Sequence, residues 1–142
     1  MLSFTDARKQ FIIDEVLANF LKLANDANGL CLIKKMIPVC NKDLLLVKRI
    51  VDIMSKSAIE LVQNPYGNYA IQVALETFTV QDCDPILGAL KGKFAQLSML
   101  KFSSNVVEKC IEKADEKRRE VILKELANSD KLLGIFSLEL QS

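Results

Sequence analysis

Three short stretches of the sequence place chemically useful side chains one helical turn apart. They are Leu30, Cys31 and Lys34; Asn68, Tyr69 and Gln72; and Ser104, Asn105 and Glu108. On an α-helix, residues i and i+4 share a face and residue i+1 projects beside them. Asn68 and Gln72 each carry an amide with donor and acceptor, so the pair suits a flat edge holding two acceptors and a donor, as uracil does. Tyr69 adds a π-face suited to stacking on an unpaired base. Glu108 only accepts hydrogen bonds, so it suits an edge with two adjacent donors, such as guanine's N1–H and N2–H₂. Ser104 can donate to or accept from the same base. Leu30 cannot hydrogen-bond a base edge, and Lys34 reaches a phosphate or a base acceptor only without bidentate geometry. The first trio is therefore expected to tolerate any base or to make no base contact.

Each trio also has a plainer reading. Asn68 after Gly67, and Ser104 at a helix start, are ordinary capping residues, with Gln72 and Glu108 facing solvent. For the first trio the plainer reading leads: a packed Leu30, a buried Cys31 and a solvated Lys34. Cys31 has no imidazole to activate it as a nucleophile, because the sequence contains no His. Lys117, Arg118 and Arg119 form a basic run between Glu116 and Glu120, which reads as a solvated helix face. Lys34, Lys35, Lys101 and Lys109 are candidates for a track along a nucleic-acid backbone.

The elements that must hold these side chains are helical. Ile12, Ile13, Val16, Leu17, Phe20, Leu21 and Ala24 recur at intervals of three and four, as do Leu44, Val47, Ile50, Val51 and Met54. Strand-like alternation is absent. Asn28 and Gly29 are expected to interrupt one helix and open the next, and Pro38 to end it. Pro65, Tyr66 and Gly67 separate residues 58–63 from a helix starting near Asn68. Asp84 before Pro85 reads as a cap in front of a first helical turn. Asp115 is placed to cap residues 116–127, where Glu120 and Lys124 make a favourable i,i+4 pair. Short helices with short connections suit stacked helices better than a long-helix bundle.

The trios also stand on one repeating frame. Leu30, Asn68 and Ser104 are 38 and 36 residues apart. Ile33, Ile71 and Val107 fall at its core-facing position, and an apolar helix is expected before each trio, at residues 16–24, 58–62 and 86–97. A period of this size with three helices per unit is the pattern of an α-solenoid. The expected fold is an all-α superhelical solenoid forming a single domain over residues 1–142. Its units are expected near 12–42, 43–82 and 83–114, with a partial fourth at 115–142 that contains Leu132, Leu133 and Phe136 but no trio. In such a stack neighbouring units cover each other's apolar stripes. Phe4, Phe11 and Ile12 at one end, and Leu133, Phe136 and Leu138 at the other, are then expected to face water.

Nineteen basic and eighteen acidic side chains leave a formal net charge of +1. That is low for a protein holding nucleic acid mainly by phosphate neutralisation, and silent on one that reads base edges. Half the residues are apolar, which excludes a disordered tail. The apolar runs, such as 44–47, are too short to span a membrane, and residues 1–10 carry Asp6, Arg8 and Lys9 with no apolar core of signal length. Cys31, Cys40, Cys83 and Cys110 show no C-x-x-C spacing, which with no His argues against zinc. They read as buried, reduced thiols of an intracellular helical chain. No P-loop, dinucleotide fingerprint, nucleophile elbow or HExxH motif is present, so no catalysis, cofactor, metal or small-molecule substrate is expected.

Tyr66-Gly67-Asn68-Tyr69-Ala70-Ile71-Gln72 and Ser104-Asn105-Val106-Val107-Glu108-Lys109-Cys110 resemble the recognition helices of the Pumilio (PUF) family of RNA-binding repeat proteins. Residues 14–17 and 117–126 resemble that family's inter-repeat helices, so the likeness covers essentially the whole chain. The resemblance implies that each unit reads one base of single-stranded RNA with two edge-contacting side chains and one stacking side chain. It implies uracil for Asn68 and Gln72, with Tyr69 stacking, and guanine for Ser104 and Glu108, with Asn105 at the stacking position. RNA running antiparallel to the chain, as in that family, gives 5′-GU-3′, part of a UGU element. By register the units resemble the fifth, sixth and seventh of eight repeats.

The same resemblance implies a cytoplasmic role in post-transcriptional regulation, including translational repression, through mRNA 3′ untranslated regions. It implies a protein corepressor as a partner, and further repeats supplied by a longer parent protein or a second chain. Leu30, Cys31 and Lys34 depart from the family pattern, and the repeat for the first U of UGU lacks its reading helix. The alternative is a protein-interaction solenoid that has lost RNA binding. The first trio and the near-zero net charge favour that alternative, and the second and third trios oppose it.

Overall fold

α4 (Leu44–Lys56) shows how this sequence makes its elements. Leu46, Val47, Ile50, Val51 and Met54 recur at three and four and are all buried. Full burial of each such side chain contributes roughly 1.5–3 kcal/mol. Asp43 caps the start, its Oδ1 accepting from Leu45 N at 3.0 Å and Leu46 N at 3.3 Å, and Lys56 in the last turn pairs with Asp52 at 3.0 Å. In this computed structural model, which describes residues 4–128, the same logic yields ten helices among the described residues.

The helices fall into sets of three. α1 (Phe4–Ala18), α2 (Phe20–Ala24) and α3 (Ala27–Cys40) precede α4, α5 (Ala58–Gln63) and α6 (Gly67–Thr77). α7 (Val80–Leu90), α8 (Phe94–Ser98) and α9 (Ser103–Lys113) form the third set, and α10 (Glu116–Ala127) opens a fourth. α4 packs on α7 in one layer, while α6 lies between α3 and α9 in another, with the short α2, α5 and α8 between the layers. This is an α-solenoid of three-helix units. α7 begins at Val80, three residues ahead of the 83 expected for its unit. Leu132, Leu133, Phe136 and Leu138 lie outside the described residues, as does the side chain of Phe4; Phe11 and Ile12 are exposed, as expected.

Ile33, Ile71 and Val107 sit in the core, one per inner helix. Leu32, Ala70 and Val106 occupy another shared position, two residues into each trio's frame. Ala70 and Val106 are fully buried because α3 covers α6 and α6 covers α9, whereas Leu32 is 44% exposed. Cover is thus supplied by the preceding unit.

Several helix boundaries differ from the sequence expectation. Residues 16–24 do not form one helix: the chain breaks at Asn19, whose Nδ2 donates to Glu15 O at 2.9 Å. Asn28 and Gly29 are not an interruption but the first turn of α3, capped by Asp26 Oδ2 at 3.0 and 2.9 Å. Pro38 does not end α3, which runs on to Cys40, and Pro85 lies inside α7 behind the true cap, Thr79, whose Oγ1 accepts from Asp82 N at 3.1 Å. Each proline deprives one carbonyl of its helical partner, on Lys34 and Gln81; both residues are exposed, and water can replace the bond. Residues 86–97 are split between α7 and α8 by Gly92, whose φ of +87° favours glycine.

The inner helices start hard against the short middle ones. A Cβ at Gly29 would stand 2.3 Å from Leu23 O, and one at Gly67 would stand 2.8 Å from Leu61 O. In the third unit the same place is taken by Ser103, buried, whose Oγ donates to Leu97 O at 2.7 Å. The basic run is also more structural than its composition suggests. Arg118 is half-buried and pairs with Asp84 of α7, and Arg119 donates from Nε to Ile111 O and from Nη2 to Ala114 O, both at 2.9 Å, closing the C-terminus of α9. Asp115 caps α10 through Arg118 N at 2.8 Å, and Glu120 pairs with Lys124 at 3.2 Å, both as expected.

Candidate nucleic-acid interface

α6 begins in an Asn-Pro turn. Asn64 Oδ1 accepts from Tyr66 N at 2.8 Å and Gly67 N at 3.0 Å, so the cap is Asn64 rather than Asn68. Tyr69 then projects from the first turn with 46% of its surface exposed, free to stack. Asn68 is not presented beside it as the spacing suggested: it is fully buried. Its Nδ2 donates to Asn64 O at 2.8 Å and to Pro65 O at 3.0 Å, carbonyls of the turn that lie within its reach. Its Oδ1 accepts from Gln72 Nε2 at 2.9 Å. Gln72 is half-buried, at the edge of the exposed face.

On α9, Asn105 and Glu108 are exposed and Ser104 is half-buried, its Oγ donating to Lys101 O at 3.3 Å. Glu108 makes no hydrogen bond or ion pair among the described residues, so its carboxylate is available to a ligand. The neighbouring Lys109 reaches across to α6 and pairs with Glu76 at 2.8 Å. Glu76 lies one turn beyond Gln72 and Lys109 one turn beyond Asn105, so the second and third trios share one side of the molecule. The hydrogen bond and charge of Glu76 raise the Lys109 amine above its ordinary pKa.

In the first trio Leu30 is packed, as expected, and Lys34 is exposed. Cys31 is exposed rather than buried, because the frame turns this position outward in every unit, as it does Tyr69 and Asn105. The other three cysteines are buried free thiols. Of the candidate track lysines, Lys34, Lys35 and Lys101 are exposed, and Lys101 Nζ lies 5.4 Å from the centre of the Phe102 ring. Sequence reasoning missed Asn64 and the Glu76–Lys109 pair. The Asn64-Pro65 dipeptide was a usable signal for the first; the second carries none without the fold. Among the described residues no cluster of His, Cys, Asp or Glu is arranged to hold a metal, and no helix is long and apolar enough to cross a membrane.

The Pumilio-family RNA binding repeat matches residues 19–45, 57–90 and 93–127, which together include all three trios. The chain belongs to the Pumilio family. It is 34% identical over 123 residues to Pumilio homolog 12 of Arabidopsis thaliana, covering 87% of this chain and 20% of that protein. It is 30% identical over 122 residues to the suppressor protein MPT5 of Saccharomyces cerevisiae, covering 80% of this chain and 13% of that one. Among solved structures it resembles the Puf4 RNA binding domain bound to the HO endonuclease RNA 3′ UTR recognition sequence, with a TM-score of 0.78 at 18% identity over 84% of this chain and 37% of that one. It also resembles the Puf3 RNA binding domain bound to the Cox17 RNA 3′ UTR recognition sequence, with a TM-score of 0.76 at 25% identity over 84% of this chain and 33% of that one. The chain therefore carries Pumilio RNA-binding repeats and spans a fifth or less of the length of these two curated relatives.

Proposed function

We propose that the face formed by α6 and α9 binds single-stranded RNA and reads a 5′-GU-3′ step of a UGU-type element, without catalysis. The observation that carries the reading is that Tyr69 with Gln72, and Asn105 with Glu108, stand exposed or half-exposed on neighbouring inner helices tied together by Lys109 and Glu76. Asn68 and Gln72 serve the uracil with Tyr69 stacking, and Ser104 and Glu108 serve the guanine with Asn105 beside it. Leu30 is packed away and reads no base; Cys31 offers no stacking ring and Lys34 meets the phosphate backbone.

Energetics shape the rest of the proposal. Stacking contributes roughly 1–3 kcal/mol per base at an aromatic site, and Tyr69 supplies the one ring among the three trios. Two read bases give weak binding, so further Pumilio repeats, from a longer parent protein or a second chain, complete the site. Two solved relatives are bound to RNA 3′ UTR recognition sequences, which supports mRNA 3′ untranslated regions as targets. A cytoplasmic, post-transcriptional role such as translational repression, with a protein corepressor as partner, belongs to the same proposal and rests on the family resemblance alone.

The test is fluorescence anisotropy at low salt with a short RNA containing UGU and one containing UAU. A preference of about tenfold for UGU is expected, the discrimination ordinary for one well-read base. Equal or undetectable binding replaces this reading with the protein-interaction solenoid, which the buried Leu30 and the net charge of +1 favour.

A further inference from the structure

We propose that the α3–α4 turn and the groove beside it dock a peptide segment of a partner protein, one that carries an apolar pair flanked by Asp or Glu. The inference goes beyond the RNA reading and does not depend on it. Val39 lies at the end of α3, and Leu44 and Leu45 open α4; the turn between them is closed by Asp43 N donating to Cys40 O at 2.9 Å. These three side chains are 76%, 56% and 74% exposed.

The other two unit junctions show that the fold does not ask for them. Cys40, Phe78 and Ala114 hold one buried place at the ends of the inner helices, and Thr77 and Lys113 precede the latter two where Val39 precedes the first. After the caps Thr79 and Asp115, the places of Leu44 and Leu45 are taken by Val80 and Gln81, and by Glu116 and Lys117. The first turn is also longer. Asp43 follows Leu30 by 13 residues, whereas Thr79 follows Asn68, and Asp115 follows Ser104, by 11. The surplus pair is Asn41 and Lys42. Apolar side chains grouped in water on an extended turn mark an interaction surface.

The surroundings decide what it takes. Lys42 and Lys48 are exposed and make no ion pair among the described residues. The acids nearby are committed. Asp43 accepts from Leu45 N and Leu46 N, Asp14 holds Arg49 at 3.1 Å, and Asp52 holds Lys56 at 3.0 Å. The charge left over beside the leucines is positive, so it complements an acidic segment. Leu44 leads into a groove of about 300 Å³ between α4 and α7. Val47 and Val51 continue its face of α4 into that groove. Gln81, Asp82 and Pro85 form the opposite wall. Pro85 has no N–H for the Gln81 carbonyl, which leaves an acceptor for a backbone N–H of the segment. An acyl chain brings no such donor. The groove lies in the layer of α4 and α7, so an occupant leaves the faces of α6 and α9 clear.

The test begins with random short peptides displayed on phage and selected on the immobilised full chain. Enrichment of an apolar pair beside Asp or Glu is expected. The tightest selected peptide is then titrated, with a fluorescein label, against the unaltered chain and two variants. Leu45→Gln installs the residue found at the second junction, and Lys48→Glu reverses the charge. Each is expected to weaken the peptide about tenfold, with the urea midpoint and the affinity for a UGU RNA unchanged. A selection that yields no peptide, enrichment of basic peptides, or binding that survives both substitutions overturns the proposal. So does a dimer in sedimentation, or binding to vesicles of phosphatidylserine and phosphatidylcholine, that Leu45→Gln abolishes; the occupant is then a second copy or a membrane. An unaltered chain that takes the peptide and no RNA defeats the RNA reading instead.

Discussion

Lys109 Nζ lies 2.8 Å from Glu76 Oε1, and through this contact the third inner helix is tied to the second beside both groups of base-facing side chains. The pair is partly exposed, so its strength is modest and falls with salt. Its placement gives it a role in spacing. Lys109→Glu and Glu76→Lys are each expected to weaken binding to a UGU RNA about two- to fivefold, the range of an exposed pair. The double exchange restores it. Titration of binding in salt checks this: the single variants lose the difference at high ionic strength. The amine, held above its ordinary value of 10.5, keeps the pair intact at neutral pH, and the contact is lost as pH rises through that raised value.

Tyr69 is exposed and bonded to nothing through its ring, so its removal tests recognition apart from stability. Tyr69→Ala is expected to cost roughly 1–3 kcal/mol of RNA affinity by loss of stacking, with the urea midpoint unchanged. Tyr69→Phe keeps the ring and the affinity. Anisotropy titration of the two variants in parallel measures it.

Two glycines make opposite predictions. At Gly67 a Cβ would meet Asn25 Oδ1 at 2.6 Å and Leu61 O at 2.8 Å, so α6 must shift away from α5. Gly67→Ala is expected to destabilise by about 1–3 kcal/mol, as overpacking does. Gly88, inside α7, has nothing within 4 Å of its Cβ position. Gly88→Ala is expected to stabilise by about 0.5–1 kcal/mol through helix propensity and the unfolded chain. Urea unfolding of both variants gives the sign directly.

Burial pushes the Cys83 thiol up to about 11 and that of Cys110 up to about 12. The folded protein keeps both protonated where the unfolded chain, ionising near 9.0, does not. Their contribution is present in full below pH 9 and is lost as pH climbs toward 11 and 12. The urea midpoint is therefore expected to fall steadily above pH 9. At pH 8, a thiol reagent is expected to label the exposed Cys31 at once and Cys40, Cys83 and Cys110 only as the protein unfolds.

The solenoid was legible because its evidence is periodic. The 38- and 36-residue spacing of the trios, and the buried Ile33, Ile71 and Val107, are counts along a line. What escaped depends on which backbone groups lack partners. Pro38 reads as a terminator and Pro85 as the start of a helix, yet each sits inside one, where the carbonyl it strands can turn to water. Arg119 reads as a solvated charge, yet its partners are carbonyls of α9, which no residue type advertises. Asn68 is the sharpest case: spacing put it on the right turn of α6, but its direction was decided by Asn64 O and Pro65 O.

Ser103 stands where the two earlier units have glycine, and the difference gives each rung of the stack its own shape. A glycine there would remove the short hydroxyl bond that ties α9 to the Leu97 carbonyl, while a serine at position 29 or 67 would collide with the backbone. The rungs are keyed. A chain that misassembled by sliding one rung along would meet a wrong key at each step, so near-identical modules can sit side by side without being mistaken for one another during folding.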